Sequence, residues 1–302
     1  MSLLAKAVLG VLPHVPKPVM RIFARNYIAG ETLPEALDKL RELARDGHPG
    51  ILDILGEDVT TPEASRAVAN EYMQAAGELA RAKLDCYVSI KPTHVGLRLS
   101  QKLALEQYSQ IAAHLKTLGL FLRVEMEDAS TTDAPLVIFE ALRAEHDNVG
   151  IVLQSRLFRT PADIAALRPG PLSVRLVKGI YLEPAKIAHT EVEPIRNAYV
   201  ECAKLLIART AKLSLATHDE HLATRIVPLL QAAKYTKSDY EFQVLLGVRS
   251  ELWALWKKAG HTVRVYVPYG PEWKPYSLRR MRKNPQIFWH VVRASLGMSA
   301  KR

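Results

Sequence analysis

Two adjacent arginines near the carboxyl end of the chain, Arg279 and Arg280, have the chemistry to bind a carboxylate. Neighbouring guanidinium groups present N–H donors in a planar arrangement that matches the two carboxylate oxygens. Tyr276 precedes Arg279 by three residues, so on a helix the two side chains share a face. The Tyr276 ring can then line one side of the carboxylate site. Because a basic pair is otherwise typical of a solvated helix end, the interpretation needs support from the rest of the chain.

Eight short segments rich in apolar and β-branched residues recur along the chain and predict β-strands. They lie at residues 50–56, 85–91, 120–127, 149–155, 172–179, 213–218, 240–247 and 262–270. Most are separated by segments, such as residues 62–83 and 193–212, whose apolar residues return every three or four positions. That spacing is typical of amphipathic helices, so the chain alternates strand and helix.

This alternation over about 250 residues predicts an α/β fold, a (β/α)8 TIM-type barrel. A doubly wound sheet would be expected to carry a glycine-rich first turn, and the chain contains no GxGxxG. We expect residues 1–45 to form an N-terminal helical extension packed on the barrel and residues 46–302 to form the barrel itself. The last helix, with Arg279 and Arg280, would be a substrate clamp.

Barrels of this class place their chemistry at the carboxyl ends of the strands, so the residues that end the predicted segments become candidates. They are Lys91, Glu125, Gln154, Arg175 with Lys178, Thr217 with His218, Leu245 and Tyr266. Cations dominate this set. If the side chains converge at one mouth, the sequence predicts an anionic ligand or cofactor there.

These segments resemble the proline dehydrogenases of the bacterial, monofunctional type, flavin-dependent barrels that oxidise L-proline to pyrroline-5-carboxylate. The resemblance covers nearly the whole chain and rests on nine ordered segments: RNYIAGETLPEALDKLRELARDG, GILDILGED, SIKPTHVGL, VEMED, RLVKGIY, LATHDEH, YEFQVLLG, YVPYG and YSLRR. It implies noncovalently held FAD as the cofactor and a quinone as the electron acceptor. The substrate would be L-proline or a related cyclic amino acid, such as hydroxyproline or pipecolate.

The same resemblance implies roles for individual residues. On the substrate side, Arg279 and Arg280 would clamp the carboxylate, with Lys91 as a further cation beside it. The residues that enclose the ring would be Tyr266, Tyr276, Tyr181 and Leu245. The flavin contacts would be Gln154 at the pyrimidine edge, Arg175, Lys178 and Gly179 near the isoalloxazine, and Thr217 and His218 further along the cofactor.

Two positions depart from the family's pattern. Glu125 stands in VEMED where an aspartate is usual, which keeps the charge but moves the carboxylate outward by one methylene. Lys283 stands where the last helix usually has a glutamate, on the same face as the two arginines, and like charges at this spacing oppose each other by about 0.2 to 0.5 kcal/mol. Either Glu125 compensates Lys283 through its extra reach, or the ligand carries more negative charge than proline.

Three other interpretations use the same residues. A barrel disabled at Glu125 and Lys283 would be a flavin-free binding protein, which flavin colour would exclude. Lys178 could form a Schiff base, as in aldolase barrels. A metal could be held by His218, Glu220 and His221, but their spacing matches no zinc signature and we expect no metal.

The formal net charge of +10 is concentrated at the two ends, since no acidic residue precedes Glu31 or follows Glu272. The chain has no zinc-finger spacing and no aromatic-rich basic sheet, so we expect no nucleic-acid partner. Basic ends favour peripheral contact with an anionic membrane surface. Pro13, Pro16 and Pro18 interrupt the apolar start before it reaches a spanning length.

That start also makes a poor signal peptide, so the sequence predicts a cytoplasmic protein with peripheral contact at the inner face of the cell membrane. Cys86 and Cys202 lie in a predicted strand and a predicted helix, and we expect both to be free buried thiols. We expect no fused second catalytic domain. A separate pyrroline-5-carboxylate dehydrogenase would then consume the unstable imine.

Overall fold

The computed structural model of the protein describes Arg21 and residues 24–283, with side chains as far as Leu278. The basic segments at the two ends, on which the membrane prediction rests, therefore lie outside the described residues. So do the side chains of Arg279, Arg280 and Lys283, whose backbone is part of the last helix.

Eight parallel strands form a closed barrel in which each strand pairs with the next and the last pairs with the first. The strands are β1 (Gly50–Ile54), β2 (Cys86–Ile90), β3 (Leu122–Val124), β4 (Val149–Gln154), β5 (Ser173–Val177), β6 (Lys212–Ala216), β7 (Tyr240–Leu245) and β8 (Val263–Tyr269). All eight predicted segments contain a strand, and the predicted (β/α)8 fold class is confirmed. The observed strands end earlier than most predicted segments, because the last residues of those segments already belong to the loops of the barrel mouth.

Helices surround the barrel. They are α1 (Leu33–Arg45), α2 (Pro62–Arg81), α3 (Gln101–Thr117), α4 (Asp133–Glu145), α5 (Thr160–Ala166), α6 (Val192–Ala208), α7 (Glu220–Ala232), α8 (Ser250–Lys258) and α9 (Trp273–Lys283). Helix α2 begins where Thr61 accepts a hydrogen bond from the Ala64 amide at 3.1 Å and Pro62 fixes the first turn. Residues such as Leu79 on its buried face pack on the barrel, as the spacing of apolar residues predicts.

The strands are buried on both faces, which explains their nearly continuous apolar composition. Cys86 in β2 and Cys202 in α6 are both buried free thiols, as predicted. Polar residues nevertheless enter the barrel interior. Arg123 in β3 is 2% exposed, and its guanidinium donates to the Ser173 carbonyl at 2.7 Å.

The described part of the N-terminal segment reaches both the core and the barrel mouth. Helix α1 packs its apolar face, including Leu37 and Leu40, into the main core against β1 and β8. Before it, residues 24–30 run beside the end of β8, where the Ala29 amide donates to the Pro268 carbonyl at 2.9 Å. Ala24 and Ile28 form a second small cluster with Leu55 and Trp273, which ties this segment to α9.

Among the described residues, no helix is both long enough and apolar enough to cross a bilayer.

Candidate active site

Six of the candidate residues lie where parallel strands end, at one mouth of the barrel. They are Lys91, Glu125, Gln154, Lys178, Thr217 and Leu245. Arg175 and Tyr266 do not lie at strand ends, contrary to the prediction, because β5 continues to Val177 and β8 to Tyr269. Both side chains therefore start from a deeper layer of the barrel, and only Arg175 is fully buried there.

Arg175 is held by residues from several strands. Its Nε donates to Gln243 Oε1 at 2.6 Å, its Nη1 donates to Ser89 Oγ at 3.1 Å, and its Nη2 donates to Tyr87 Oη at 3.3 Å. Its guanidinium carbon lies 5.3 Å from the centroid of the Tyr266 ring, a cation–π distance. The arginine is thus fixed in place before any ligand binds.

Glu125 is the charged partner of Arg175. Its carboxylate forms an ion pair with the Arg175 guanidinium and accepts hydrogen bonds from Ser89 and, at 3.2 Å, from the Tyr266 hydroxyl. Burial alone would raise the pKa of Glu125, but Arg175 and Ser89 outweigh it and hold that pKa below its usual value. The longer side chain of Glu125 therefore reaches Arg175. Whether Glu125 also compensates the charge of Lys283 stays a prediction.

Lys91 forms a second ion pair in the same layer. Its Nζ lies 3.2 and 3.1 Å from the two carboxylate oxygens of Asp53, a residue in β1 that is 1% exposed. Lys91 is also close enough to Glu125 to help lower the pKa of that carboxyl. The structure thus brings Lys91, Glu125 and Arg175 into one charged cluster.

Lys178 forms a third pair, with Asp219, on the other side of the mouth. The same carboxylate receives Arg196 Nε at 2.8 Å and Arg196 Nη2 at 3.0 Å. Burial opposes the charge of Asp219, but the hydrogen bonds from Arg196 and Lys178 hold its pKa well below the usual range. Lys178 is thus in an ion pair rather than in the apolar surroundings that activate a Schiff-base lysine.

These pairs correct one sequence-based inference. The sequence suggested a ring dominated by cations, whereas Lys91, Arg175 and Lys178 each have a carboxylate partner. Acidic residues that the pattern of strand ends did not select, Asp53 and Asp219, supply two of the three partners. In the described cluster, each of these cations therefore has a carboxylate partner. The cluster would orient a ligand through fixed hydrogen-bond donors rather than attract it through a bulk excess of positive charge.

Gln154 has the orphaned acceptor that a bound cofactor would satisfy. Its Nε2 donates to the Glu127 carbonyl, but its Oε1 is buried and has no hydrogen-bond partner among the described residues. Gly179 faces this atom with a positive φ of 99°, and a Cβ there would lie 2.7 Å from the Gln154 Oε1. The glycine thus keeps space beside the acceptor, which fits the N–H edge of a flavin's pyrimidine ring.

Thr217 and His218 follow β6 and form the next part of the mouth. His218 Nε2 accepts a hydrogen bond from the Leu245 amide at 2.9 Å, and Thr217 Oγ1 accepts from the Asp219 amide at 3.1 Å. Nε2 of His218 is thereby occupied as an acceptor. Among residues 24–278, no group of three or more His, Cys, Asp or Glu side chains is arranged to hold a metal ion.

Two tyrosines predicted to enclose the substrate lie on loops and on α9. The Tyr181 carbonyl accepts a hydrogen bond from Arg156 Nη1 at 2.8 Å, which braces the loop after β5. Tyr276 packs against the small cluster that includes Trp273 and Leu55. Helix α9 is thereby placed beside the end of β1, and the backbone of Arg279 and Arg280 continues that helix.

Several residues of the site were missed in the sequence. They are Asp53, Tyr87, Ser89, Asp219 and Gln243. A signal was present for some of them, since Asp53 is the one charged residue in GILDILG and Gln243 is a polar residue inside a buried parallel strand. A polar side chain in such a strand needs a partner inside the barrel.

Comparison with known proteins gives a consistent result. The family model described as proline dehydrogenase matches residues 36–287. The chain is 33% identical to the proline dehydrogenase of Deinococcus radiodurans over 305 residues, which cover 98% of each chain. It is 32% identical to proline dehydrogenase 1 of Bacillus subtilis strain 168 over 276 residues, 91% of each chain.

The fold also matches a solved structure, proline utilization A (PutA) from Bdellovibrio bacteriovorus inactivated by N-propargylglycine. The TM-score is 0.81 at 22% identity, and the match covers 90% of this chain and 36% of that longer one. At this identity the match shows the barrel fold alone.

Proposed function

The chain belongs to the proline dehydrogenase family, and from that premise we propose that it oxidises L-proline to 1-pyrroline-5-carboxylate with noncovalently bound FAD and passes the electrons to a quinone. The observation that carries the proposal is the cluster at the barrel mouth. There, Arg175 of β5 is fixed by four partners, Gln154 at the end of the neighbouring β4 has an orphaned acceptor, and Lys91 is paired with Asp53.

On the cofactor side, we assign Gln154, Arg175, Lys178, Gly179, Thr217 and His218 to FAD. FAD, when bound, supplies the site that accepts a hydride. A fixed cation beside the N1 and C2 carbonyl edge of the ring would stabilise negative charge there without having to reorganise. Arg175 is such a cation, and Gln154 Oε1 is an acceptor for a ring N–H.

On the substrate side, Lys91, Arg279 and Arg280 would bind the carboxylate, and Tyr266, Tyr276, Tyr181 and Leu245 would enclose the ring. The product has its C=N bond on the ring side away from the carboxylate, so the hydride leaves the ring carbon that is next to nitrogen on that side. The amine also gives up a proton. Binding the carboxylate at one end fixes that distant carbon, so the chain's main contribution is to position it.

The acceptor and partner complete the proposal. A quinone dissolved in a membrane would take the electrons, with the basic ends of the chain holding a cytoplasmic protein at the inner membrane surface. The imine product opens with water to an aldehyde, so an aldehyde-oxidising pyrroline-5-carboxylate dehydrogenase is the expected partner.

Anaerobic spectroscopy tests the proposal. The purified protein should be yellow, or become yellow with added FAD, and its flavin absorbance should bleach when L-proline is added without oxygen. Hydroxyproline and pipecolate in the same experiment identify the preferred ring. A colourless protein that takes up no FAD, or a flavin that none of the three amino acids reduces, would contradict the proposal.

A further inference from the structure

The contact between Asp53 and Lys91 joins the first two strands of the barrel at the predicted substrate end of the site. Asp53 is in β1 and Lys91 directly follows β2, and both carboxylate oxygens lie within 3.2 Å of the ammonium. Among the described residues, Asp53 is the hydrogen-bond partner of this ammonium. An ammonium has three N–H donors, so a donor remains for a ligand's carboxylate.

Both side chains of the pair are largely shielded from water, so each charge carries a desolvation cost. The Asp53 side chain is 1% exposed and the Lys91 side chain 13%. A carboxylate at this depth carries a large desolvation cost, which an apolar residue in the same strand would avoid. A functional role for Asp53 therefore explains its presence in this strand better than packing does.

Both members of the pair are charged near neutral pH. Burial raises the pKa of Asp53 to about 6 and Lys91 opposes that rise, so the carboxyl is ionised at pH 7. Burial disfavours the charge of Lys91, but the carboxylates of Asp53, Glu125 and Glu57 outweigh burial and raise its pKa. Other groups that face the pair are Tyr72, His94, Tyr266 and Tyr269.

Asp53 is the carboxylate with the largest influence on Lys91. Glu125 is already held by Arg175 and Ser89, and its charge is partly compensated there. Within the part of the chain that the structure describes, Asp53 has no other cation within ion-pair distance. Removing the charge of Asp53 should therefore affect Lys91 first and the flavin side of the cluster much less.

We propose that Asp53 is a positioning residue that keeps the Lys91 ammonium charged and fixed where the carboxylate of the amino-acid substrate binds. This inference rests on the proposed function. Asp53 itself need not touch the substrate. It acts through Lys91, so its effect should appear in the binding of the substrate's carboxylate and disappear when Lys91 is absent.

The test uses the FAD-loaded protein and tetrahydrofuran-2-carboxylate, the analogue of proline with a ring oxygen in place of the amine. Its charge stays constant above acidic pH, so changes in affinity with alkaline pH report the protein. Calorimetric titrations from about pH 6 upward should show the wild type losing affinity only above the ordinary lysine pKa, because the pKa of Lys91 is raised. In Asp53→Asn, affinity should be lost at a midpoint lower by about one to three pH units.

Three further variants separate positioning from general damage. Asp53→Glu keeps the charge and should retain the alkaline behaviour of the wild type, with weaker affinity. The Lys91→Met protein should bind the analogue weakly at every pH. Adding Asp53→Asn to this protein should change its affinity for the analogue by less than twofold. Asp163→Asn makes the same chemical change in the ion pair with Arg159 on α5 and should leave the alkaline midpoint in place.

Circular dichroism and thermal unfolding show that each variant is folded, and Asp53→Ser carries the same prediction if the asparagine variant unfolds. The inference is overturned if a folded, uncharged Asp53 variant keeps the midpoint of the wild type, or if the effects of Asp53→Asn and Lys91→Met simply add. A wild-type protein that binds neither FAD nor the analogue overturns the proposed function and this inference with it.

Discussion

At the scale of single residues, the proposed flavin side of the site depends on Arg175 because four hydrogen-bonding partners fix its guanidinium. Tyr87 and Ser89 of β2 and Gln243 of β7 hold it, and the Glu125 carboxylate gives it an opposite charge. The planar fork of arginine makes these contacts together, which a lysine ammonium cannot do. The exact shape of the cation therefore matters as well as its charge.

The variant Arg175→Lys tests that dependence. It keeps a positive charge beside Glu125 but removes the hydrogen bonds from the guanidinium to Gln243 Oε1 and Tyr87 Oη, so the cation is no longer fixed. We expect the rate constant of anaerobic flavin reduction by proline to fall by about ten- to a hundredfold. Stopped-flow absorbance measures it, and Arg168→Lys, an exposed arginine, is the matched control. An unchanged rate constant in the folded variant would refute this role.

Arg280 makes a different prediction, because it belongs to the proposed clamp rather than to the flavin site. In Arg280→Met, the apparent KM for proline should rise by about ten- to a hundredfold through loss of charged hydrogen bonds. The bound flavin should remain, measured by absorbance after gel filtration. Arg282→Met removes a charge from the same helix and should leave KM within about twofold. Loss of flavin from Arg280→Met would show that this arginine serves the cofactor instead.

Asp53 also gives the free energy of unfolding a pH dependence. Its folded-state pKa of about 6 is raised above the ordinary aspartate value of 3.8, so the folded protein binds this proton more tightly than the unfolded chain does. The resulting stability is full below the unfolded pKa and is lost as pH rises through about 6. From about pH 7.5 to about pH 5, the wild type should gain about 1 kcal/mol relative to Asp53→Asn.

Urea unfolding of the two proteins at both pH values measures this difference. The comparison with Asp53→Asn removes the contribution of the other acidic groups, which both proteins share. If the wild type instead loses stability relative to the variant as the pH falls, Asp53 is not a carboxyl with a raised pKa.

At the scale of elements, the N-terminal segment is part of the wall around the barrel mouth. Residues 24–30 run between the loop after β7 and the end of β8, and Trp273 of α9 donates to Glu31 at 2.7 Å. The sequence predicted an extension packed on the barrel but gave no sign that this segment contacts α9. That contact depends on three elements far apart in the chain, and no local pattern records it.

Gly247 is the residue that lets this segment approach. It has a φ of 70°, and a Cβ there would lie 1.9 Å from the Asn26 carbonyl oxygen. Gly247→Ala should therefore displace residues 24–30. Backbone strain alone should lower the free energy of unfolding by about 1 to 3 kcal/mol, and the contact with Asn26 should lower it further. Gly119 has a similar φ of 68° but nothing within 4 Å, so Gly119→Ala shows the backbone strain alone.

Urea unfolding and limited proteolysis near Asn26 compare these two alanine variants. The steric part of the effect is the amount by which Gly247→Ala exceeds Gly119→Ala. Equal losses of stability and equal cleavage rates would mean that the approach of Asn26 to Gly247 contributes nothing.

At the scale of the whole molecule, the sequence predicted the closed barrel well because the barrel follows from local patterns. Each strand is an apolar run and each helix is amphipathic, and their order leaves few other arrangements. The ion pairs at the barrel mouth were not predictable in the same way. Asp53 meets Lys91 and Asp219 meets Lys178 only through the register of neighbouring strands and loops.

Strand ends were the other weak point of the sequence-based prediction. Arg175 and Tyr266 were grouped with the residues that end the strands, whereas both lie inside the paired part of β5 and β8, as the predicted segments 172–179 and 262–270 already implied. From this deeper layer both side chains contact Glu125, so their assignment to the site stays a prediction. A barrel can thus be inferred from periodicity while the depth of a given side chain needs the paired structure.

The most direct test of the molecule's proposed organisation is a crystal structure of the protein with FAD and tetrahydrofuran-2-carboxylate. We predict that the flavin's pyrimidine edge donates to Gln154 Oε1 beside Arg175, and that the analogue's carboxylate lies between Lys91 and the arginines of α9. A flavin bound away from Gln154, or a carboxylate that contacts neither Lys91 nor α9, would contradict the assignment of this barrel mouth as the active site.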